Sequence, residues 1–261
     1  ISVLGIDLAK NSFQLHGVDA EGETVLKKKL TRNKLSAFVA NLAPCVIGVE
    51  ACGGANHWSR VFSKFGHTVK IMAPQFVKPY VKSNKNDAAD AEAICEAVQR
   101  KTMRFVPSKN IEQQDIQSMH RIRSQLIGRR TAQANQIRGL LMEYGVVIPN
   151  GIHYVKKSIP DLLEDTENGL SSLFWEMLRE LREEMEHLNQ RIECVEKKLQ
   201  TVCKQSKDCQ RLLTIPGVGL LTATALTAAI GDIKVFKNGR KLSAWLGLVP
   251  KQYSTGGSQR C

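Results

Sequence analysis

Four carboxylates occur at positions from which a folded chain could hold divalent cations. Asp7 and Glu50 each end a short apolar run that is typical of a buried strand. Asp87 and Asp90 are three residues apart in an alanine-rich stretch, so on a helix they are neighbours. Like charges about 4 Å apart repel by roughly 4 kcal/mol at an effective dielectric constant of 20. Bound cations would relieve that repulsion, and oxygen-only ligands favour magnesium or manganese over zinc.

A pair of such ions would enable phosphoryl transfer. Two metal ions roughly 3.5–4 Å apart can clamp the attacking and leaving oxygens of a phosphodiester. Each acid also has a simpler interpretation: Asp7 as a strand-end turn residue, Glu50 as a cap before a glycine turn, and the helical pair as ordinary first-turn acids. The conjunction of all four is more specific than any one of them. It predicts a site for two Mg²⁺ or Mn²⁺ ions.

The elements that must position these acids predict a mixed α/β sheet of ribonuclease H type over residues 1–107. Three short strands, at 1–9, 12–18 and 24–30, suggest an antiparallel meander. A helix at 34–42, a strand at 45–50, a helix to about 65 and a strand at 67–72 follow. Asn86 is predicted to cap the next helix, which carries Asp87 and Asp90. If that helix packs across the sheet, the four carboxylates converge.

Residues 108–205 predict two long helices. The first, over 113–144, is arginine-rich and is followed by a predicted connector at 145–160. The second carries a heptad pattern in which apolar residues recur at alternating steps of four and three, namely Phe174, Leu178, Leu181, Met185, Leu188, Ile192, Val195, Leu199 and Val202. A seam of roughly 40 Å needs a partner helix. That partner is either the first helix folding back, or the same helix of a second subunit in a coiled-coil homo-oligomer, a dimer or tetramer.

Residues 206–261 contain a helix-hairpin-helix pattern. The run Ile215-Pro216-Gly217-Val218-Gly219 predicts a tight turn between two helices. Gly217 and Gly219 would let the backbone approach a ligand, and the N–H groups that open the new helix could bind phosphate. An ordinary helical hairpin is the alternative interpretation.

Charge and composition point to a polyanionic partner. The net charge is +12 and the isoelectric point about 9.5. Residues that could contact phosphates, or be no more than solvated charges, are Lys78, Lys82, Lys85, Arg121, Arg123, Arg129 and Arg130. Seven cysteines without a CxxC pair, and the lack of an apolar run of membrane length, favour a reduced cytoplasmic setting and no membrane partner.

The motifs together resemble the DEDD transposases of bacterial insertion sequences. The residues that carry the resemblance are Gly5-Ile6-Asp7-Leu8-Ala9-Lys10, Glu50-Ala51-Cys52, Lys85-Asn86-Asp87-Ala88-Ala89-Asp90-Ala91, Ile215-Pro216-Gly217-Val218-Gly219 and Gly247-Leu248-Val249-Pro250. The resemblance implies a catalytic domain similar to the RuvC Holliday-junction resolvase at 1–107, a coiled-coil region at 108–205 and a C-terminal transposase domain at 206–261.

The resemblance also implies a mechanism and partners. Asp7, Glu50, Asp87 and Asp90 would be the metal-binding tetrad, and a bridge RNA would guide the enzyme to donor and target DNA. A serine after Pro250 would be the nucleophile; Ser254 is preferred, with Thr255 and Ser258 as alternatives. Family members normally continue well past Gly256-Gly257, whereas this chain stops at Cys261. We therefore expect the C-terminal domain to be truncated and Ser254 to be poorly supported.

Two other functions are compatible with the sequence. One is a Holliday-junction resolvase-like, magnesium-dependent nuclease that uses water and leaves no covalent adduct. The other is a catalytically impaired remnant that only binds nucleic acid. The basic segments are compatible with all three functions. Assays of DNA cleavage and of covalent protein–DNA adduct formation are needed to discriminate between them.

Overall fold

A computed structural model describes residues 1–81, 86–165, 167–231 and 233–249, with the backbone of 253–255 and 258–260. Lys82 and Lys85 lie outside the described residues, as do the side chains of Ser254, Thr255 and Ser258. The chain forms two compact units, residues 1–229 and 230–261, and each is described by itself.

A six-stranded mixed sheet organises the first unit, in the order β3-β2-β1-β4-β5-β6. The strands are β1 Val3–Asp7, β2 Ser12–Val18, β3 Thr24–Thr31, β4 Val46–Glu50, β5 Thr68–Met72 and β6 Phe105–Val106. The first three form the predicted antiparallel meander, β4 runs parallel to β1, and β5 runs parallel to β4. The short β6 adds an antiparallel edge that the sequence did not predict. This architecture is compatible with the predicted ribonuclease H-like fold.

Helices cover both faces of the sheet. On one face, α1 Arg32–Ala40 and α2 Ala55–Lys64 pack on the alternate strand residues that point toward them, and Leu4, Ile6 and Phe62 are fully buried there. On the other face lie the short α3 Pro74–Val77 and the longer α4 Asp87–Val98. Strand side chains alternate between faces, so the odd-numbered residues of β1 and the even-numbered residues of β4 face α4.

Helix α4 crosses the two central strands in close contact. A Cβ atom built on Gly5 would lie 2.7 Å from the Cβ of Cys95, and one built on Gly48 would lie 2.9 Å from the Cβ of Val98. The predicted packing of this helix across the sheet is therefore confirmed. The predicted N-cap is confirmed too, since the Asn86 side chain accepts a hydrogen bond of 2.8 Å from the Ala89 N–H.

Two long helices, α5 Ile111–Met142 and α7 Ser172–Gln205, pack against each other in antiparallel orientation. Three hydrogen bonds fix their register: Arg123 to Glu196 at 2.7 Å, Arg130 to Asn189 at 3.1 Å, and Gln133 to Glu184 at 2.9 Å. The partner residue number falls as the α5 number rises, which defines the antiparallel pairing. Of the two partners open to the heptad seam, α5 of the same chain is the one that packs against it here.

The seam of α7 follows the predicted heptad only in part. Five of the predicted residues are buried, namely Phe174, Leu178, Met185, Ile192 and Leu199. The alternate row, Leu181, Leu188, Val195 and Val202, is half-buried. Asn189, which accepts a hydrogen bond from Arg130, and Cys203, which lies beside Cys209, are buried. A straight helix has 3.6 residues per turn, so a strict seven-residue repeat drifts around it and the buried stripe moves one position on.

The predicted connector at 145–160 was wrong, because most of its second half is helical. Helix α6 spans Ile152–Glu164 and contains Pro160. Val155 and Ile159 are buried in the same core as Leu141 of α5 and Phe174 of α7. Their spacing of four places both on one face, and this packing outweighs the backbone hydrogen bond that a proline removes from a helix.

Helices α8 Lys207–Leu213 and α9 Leu220–Ile230 follow, joined by the predicted glycine turn. The second unit contains a 3₁₀ turn at Ile233–Val235, helix α10 Gly239–Trp245, and a hairpin of β7 Tyr253–Thr255 and β8 Ser258–Arg260. Phe236 packs edge-on against Trp245 with ring centroids 5.6 Å apart. Within the described part of the chain, every helix is too short or too polar to cross a membrane.

Candidate functional site

Asp7 and Glu50 occupy equivalent positions at the ends of adjacent parallel strands. In the β1–β4 ladder Ile6 pairs with Val49, and the two acids are the next residues of their strands. Ile6 and Val49 are buried on the α1 and α2 side, so alternation points Asp7 and Glu50 to the opposite side, where α4 lies. Both side chains are partly buried. The sheet thus brings two of the four predicted carboxylates together.

The thiol of Cys52 lies near both of these acids. Cys52 is in the loop that follows β4, and its Sγ lies 3.7 Å from the carbonyl oxygen of Leu8, the residue after Asp7. Burial raises the pKa of the Cys52 thiol, and the negative charges of Glu50 and Asp7 raise it further. Both carboxylates are therefore close enough to Cys52 to act on it electrostatically.

The two helical acids lie in the first turn of α4, on the helix that covers this face of the sheet. Asp87 is exposed and Asp90 is partly buried. Among the described residues, however, no three His, Cys, Asp or Glu side chains are grouped so that they could hold a metal ion. The donor set consists of the carboxylate oxygens that magnesium and manganese prefer, but only Asp7 and Glu50 are adjacent in the ladder.

The predicted phosphate-binding residues fall into two groups. Lys78, Arg121 and Arg129 are exposed. Arg123 and Arg130 instead face α7, where Arg123 is ion-paired with Glu196 and Arg130 is hydrogen-bonded to Asn189. The sequence did not separate the two groups because a helical surface pattern does not reveal which face a neighbouring helix will cover.

The turn between α8 and α9 is open to solvent. Gly217 has φ +84°, a backbone conformation that side chains with a Cβ rarely adopt, whereas a Cβ on Gly219 would meet no protein atom within 4 Å. Residues 213–219 line an open cleft of about 460 Å³. Of these two glycines, therefore, only Gly217 is required by the backbone conformation of the turn.

Comparison with known proteins identifies the family. A profile of DEDD transposases of the IS110 type, described as a transposase, matches residues 4–146, and a profile described as the transposase IS116/IS110/IS902 family matches residues 209–261. The chain is also 46% identical over 261 residues to a probable family 20 transposase of Pseudomonas aeruginosa, which covers 100% of this chain and 77% of that protein.

The chain belongs to the IS110/IS116 family of insertion-sequence transposases. Two further relatives are similar over nearly the whole chain. The transposase for insertion sequence element IS1111A of Coxiella burnetii is 44% identical over 259 residues, which are 99% of this chain and 71% of that protein. The transposase for insertion sequence element IS1328 of Yersinia enterocolitica is 41% identical over 259 residues, 98% and 76% of the two chains. Membership in this transposase family implies an enzyme that processes DNA.

Proposed function

We propose that this transposase cuts and rejoins DNA by phosphoryl transfer at the edge of the sheet where Asp7 and Glu50 meet. The observation that carries the proposal is the position of these acids, side by side at the ends of two parallel strands and on the face covered by α4. The N-terminal family match spans both acids and the α4 acids as well. On this proposal residues 1–107 are the catalytic domain, 108–205 the helical region and 206–261 the transposase domain.

Asp7, Glu50, Asp87 and Asp90 are the residues that would hold Mg²⁺ or Mn²⁺, with two ions bound. The course of α4 supports the participation of its acids. The Sγ of Cys95 lies 3.8 Å from the carbonyl oxygen of Val3, and Ala91, one turn earlier in α4, lies against Gly5. The first turn of α4, which carries Asp87 and Asp90, lies on the same face of the sheet as Asp7 and Glu50. A shift of this turn toward the ends of β1 and β4 would bring the four carboxylates together.

The bound ions would supply positive charge to the phosphodiester oxygens. The protein's own contribution is to hold the carboxylates at fixed positions on rigid strands. The Ser254 hydroxyl would lose its proton to a base and attack phosphorus, forming a phosphoserine ester with one DNA end. The bond from phosphorus to the other DNA end would break, and the departing oxygen would take up a proton and leave as a hydroxyl. Thr255 and Ser258 are the alternative nucleophiles. The match of residues 209–261 to a transposase profile supports a role for this segment in the reaction.

Recognition would come from three sources. A bridge RNA would pair with donor and target DNA, and exposed cations such as Lys78, Arg121 and Arg129 would hold phosphates. The open turn with Gly217 and Gly219 would act as a helix-hairpin-helix and contact the backbone of DNA. Assembly into a dimer or tetramer would bring two DNA ends together.

Denaturing gels of labelled donor DNA, incubated with Mg²⁺ and the element's own RNA, test the proposal. Wild type should form a covalent protein–DNA adduct, and Asp7→Asn should form neither adduct nor cleaved DNA. Ser254→Ala should lose the adduct, with Thr255→Ala as its matched control. An adduct that persists in Ser254→Ala would refute the assignment of Ser254 as the nucleophile. Cleavage by wild type without any adduct would indicate a resolvase-like nuclease. DNA binding by wild type without cleavage would indicate a catalytically impaired remnant that only binds nucleic acid.

A further inference from the structure

The edge strand β3 carries a run of three lysines, Lys27, Lys28 and Lys29, whose side chains divide between the two faces of the sheet. All three are exposed. The Nζ of Lys28 lies 4.8 Å from the ring centroid of Phe38, a residue of α1. Because strand side chains alternate, Lys27 and Lys29 lie on the opposite face, which is the face of α4. Their cross-strand neighbours confirm this, since Lys29 pairs with Gln14 and Lys27 with His16.

Lys29 lies in one cross-strand row with the two sheet acids. Gln14 pairs with Lys29 on one side and with Asp7 on the other, and Glu50 follows on the strand beyond Asp7. Neighbouring strands are about 4.8 Å apart, so the backbone of Lys29 lies about 10 Å from that of Asp7. The row therefore runs from a cation at the sheet edge to the carboxylates of the proposed catalytic centre.

A cleft accompanies this row. Its volume is about 380 Å³, and the residues that line it include Gln14, His16, Lys27, Lys29, Ala89 and Glu92. Among the described residues, neither Lys27 nor Lys29 has a carboxylate within ion-pair distance. Glu92 lies on the α4 side of the cleft, and its negative charge would repel an anionic ligand. Such a ligand would therefore bind along the opposite side, which carries Lys27 and Lys29.

We propose that Lys27 and Lys29 form a phosphate-binding track that guides a nucleic-acid strand across the edge of the sheet toward Asp7. The ligand chemistry is the phosphodiester backbone, which DNA and RNA share. The proposal rests on the proposed function for its direction, since Asp7 marks where the track leads. It adds two residues that neither the arginine-rich helix nor the glycine turn includes. Edge-strand lysines can also serve to prevent pairing with another chain, and the test must separate that role.

The experiment measures binding of a 30-base-pair duplex DNA and of a 30-nucleotide single-stranded RNA over 50–200 mM salt. The variant is Lys27→Gln/Lys29→Gln. Its matched control, Lys34→Gln/Lys64→Gln, removes the same charge from the opposite side of the sheet, because Lys34 and Lys64 are exposed residues of α1 and α2. Two lost phosphate contacts should lower affinity about tenfold or more and reduce the salt slope by about 2. The control should change the slope by less than about 0.5.

If Lys27→Gln/Lys29→Gln loses affinity for the DNA alone, the track binds the DNA strand. If it loses affinity for the RNA alone, the track binds the guide RNA. Equal losses in both double variants, or none in either, would overturn the proposal. So would unchanged affinity together with aggregation of Lys27→Gln/Lys29→Gln on size exclusion, which would identify the lysines as edge protection. If Lys27 and Lys29 bind nucleic acid but the wild-type protein does not cleave DNA, this inference holds and the proposed chemistry fails.

Discussion

Gly5 of β1 lies directly beneath Cys95 of α4, so close that a Cβ atom at position 5 would come 2.7 Å from the Cβ of Cys95. The atoms that this Cβ would meet also include backbone atoms of α4, which cannot rotate away. At Gly48 the nearest atoms belong to the side chain of Val98. The absence of a side chain at position 5 is thus what sets the height of α4 above the sheet.

Gly5→Ala should therefore lower the free energy of unfolding by about 3 kcal/mol or more, at or above the upper end of overpacking costs. Gly48→Ala should cost less, about 1–2 kcal/mol, because its Cβ would come no closer than 2.9 Å to the Cβ of Val98, whereas a Cβ at position 5 would lie closer than that to backbone atoms of α4. Urea denaturation followed by circular dichroism gives both values. Equal costs at the two positions would show that α4 does not lie on β1 as described.

The ion pair between Arg123 and Glu196 should contribute modestly to the pairing of α5 with α7. The side chains are 22% and 38% exposed, and their closest atoms are 2.7 Å apart. Partial exposure limits the coupling energy to about 0.5–1 kcal/mol. A double-mutant cycle with Arg123→Ala and Glu196→Ala measures this coupling, and Arg121→Ala, on the exposed surface, is the control. Zero coupling would show that this ion pair does not contribute to the stability of the contact between α5 and α7.

The two glycines of the α8–α9 turn should separate stability from binding. Gly217→Ala forces a left-handed backbone onto a residue with a Cβ and should cost about 1 kcal/mol of stability. Gly219→Ala should leave thermal stability unchanged, since its Cβ would meet no protein atom. If this turn contacts DNA, Gly219→Ala should still weaken DNA affinity. Unchanged affinity of Gly219→Ala, measured by fluorescence anisotropy, would remove the turn from the interface.

Acid should weaken the contact between α5 and α9. The Nε2 of His120 lies 3.0 Å from the Oγ1 of Thr224, and burial, together with the charge of Arg123, lowers the pKa of His120 below 6.5. The unfolded chain then binds the proton more readily than the folded chain. The stabilisation is present above pH about 6.5 and is lost as the pH falls through the folded value.

Thermal unfolding of wild type and His120→Gln at pH 7.5 and 5.5 measures this effect. Wild type should lose more stability than the variant over that interval. His153→Gln, at an exposed position, controls for general histidine titration and should behave as wild type. A variant with the same pH dependence as wild type would show that His120 is not the group responsible.

The sequence predicts the sheet well because its signals are local. Alternating or continuous apolar runs define β1 to β5, and an acid at the end of two such runs is enough to place Asp7 and Glu50 at one edge. The N-cap at Asn86 is equally local. The predictions that failed concerned features that depend on contacts between segments distant in the sequence.

Helix α6 is an example of this failure, since Pro160 and the flanking glycines suggested a connector, whereas Val155 and Ile159 gain a core only when α5 and α7 enclose them. The burial of Asn189 in place of Leu188 likewise depends on how a straight α7 meets α5. The row from Lys29 to Asp7 required the strand register, which no sequence pattern gives directly.

Titration with Mn²⁺, followed by electron paramagnetic resonance of the free ion, tests the central claim most directly. Wild type should bind Mn²⁺, and Asp7→Asn and Glu50→Gln should each weaken that binding at least about tenfold, because each removes one of the charged oxygen ligands. Glu183→Gln, an exposed acid of α7, should bind as wild type does. Unchanged Mn²⁺ binding in folded Asp7→Asn and Glu50→Gln would contradict a cation site at this edge of the sheet.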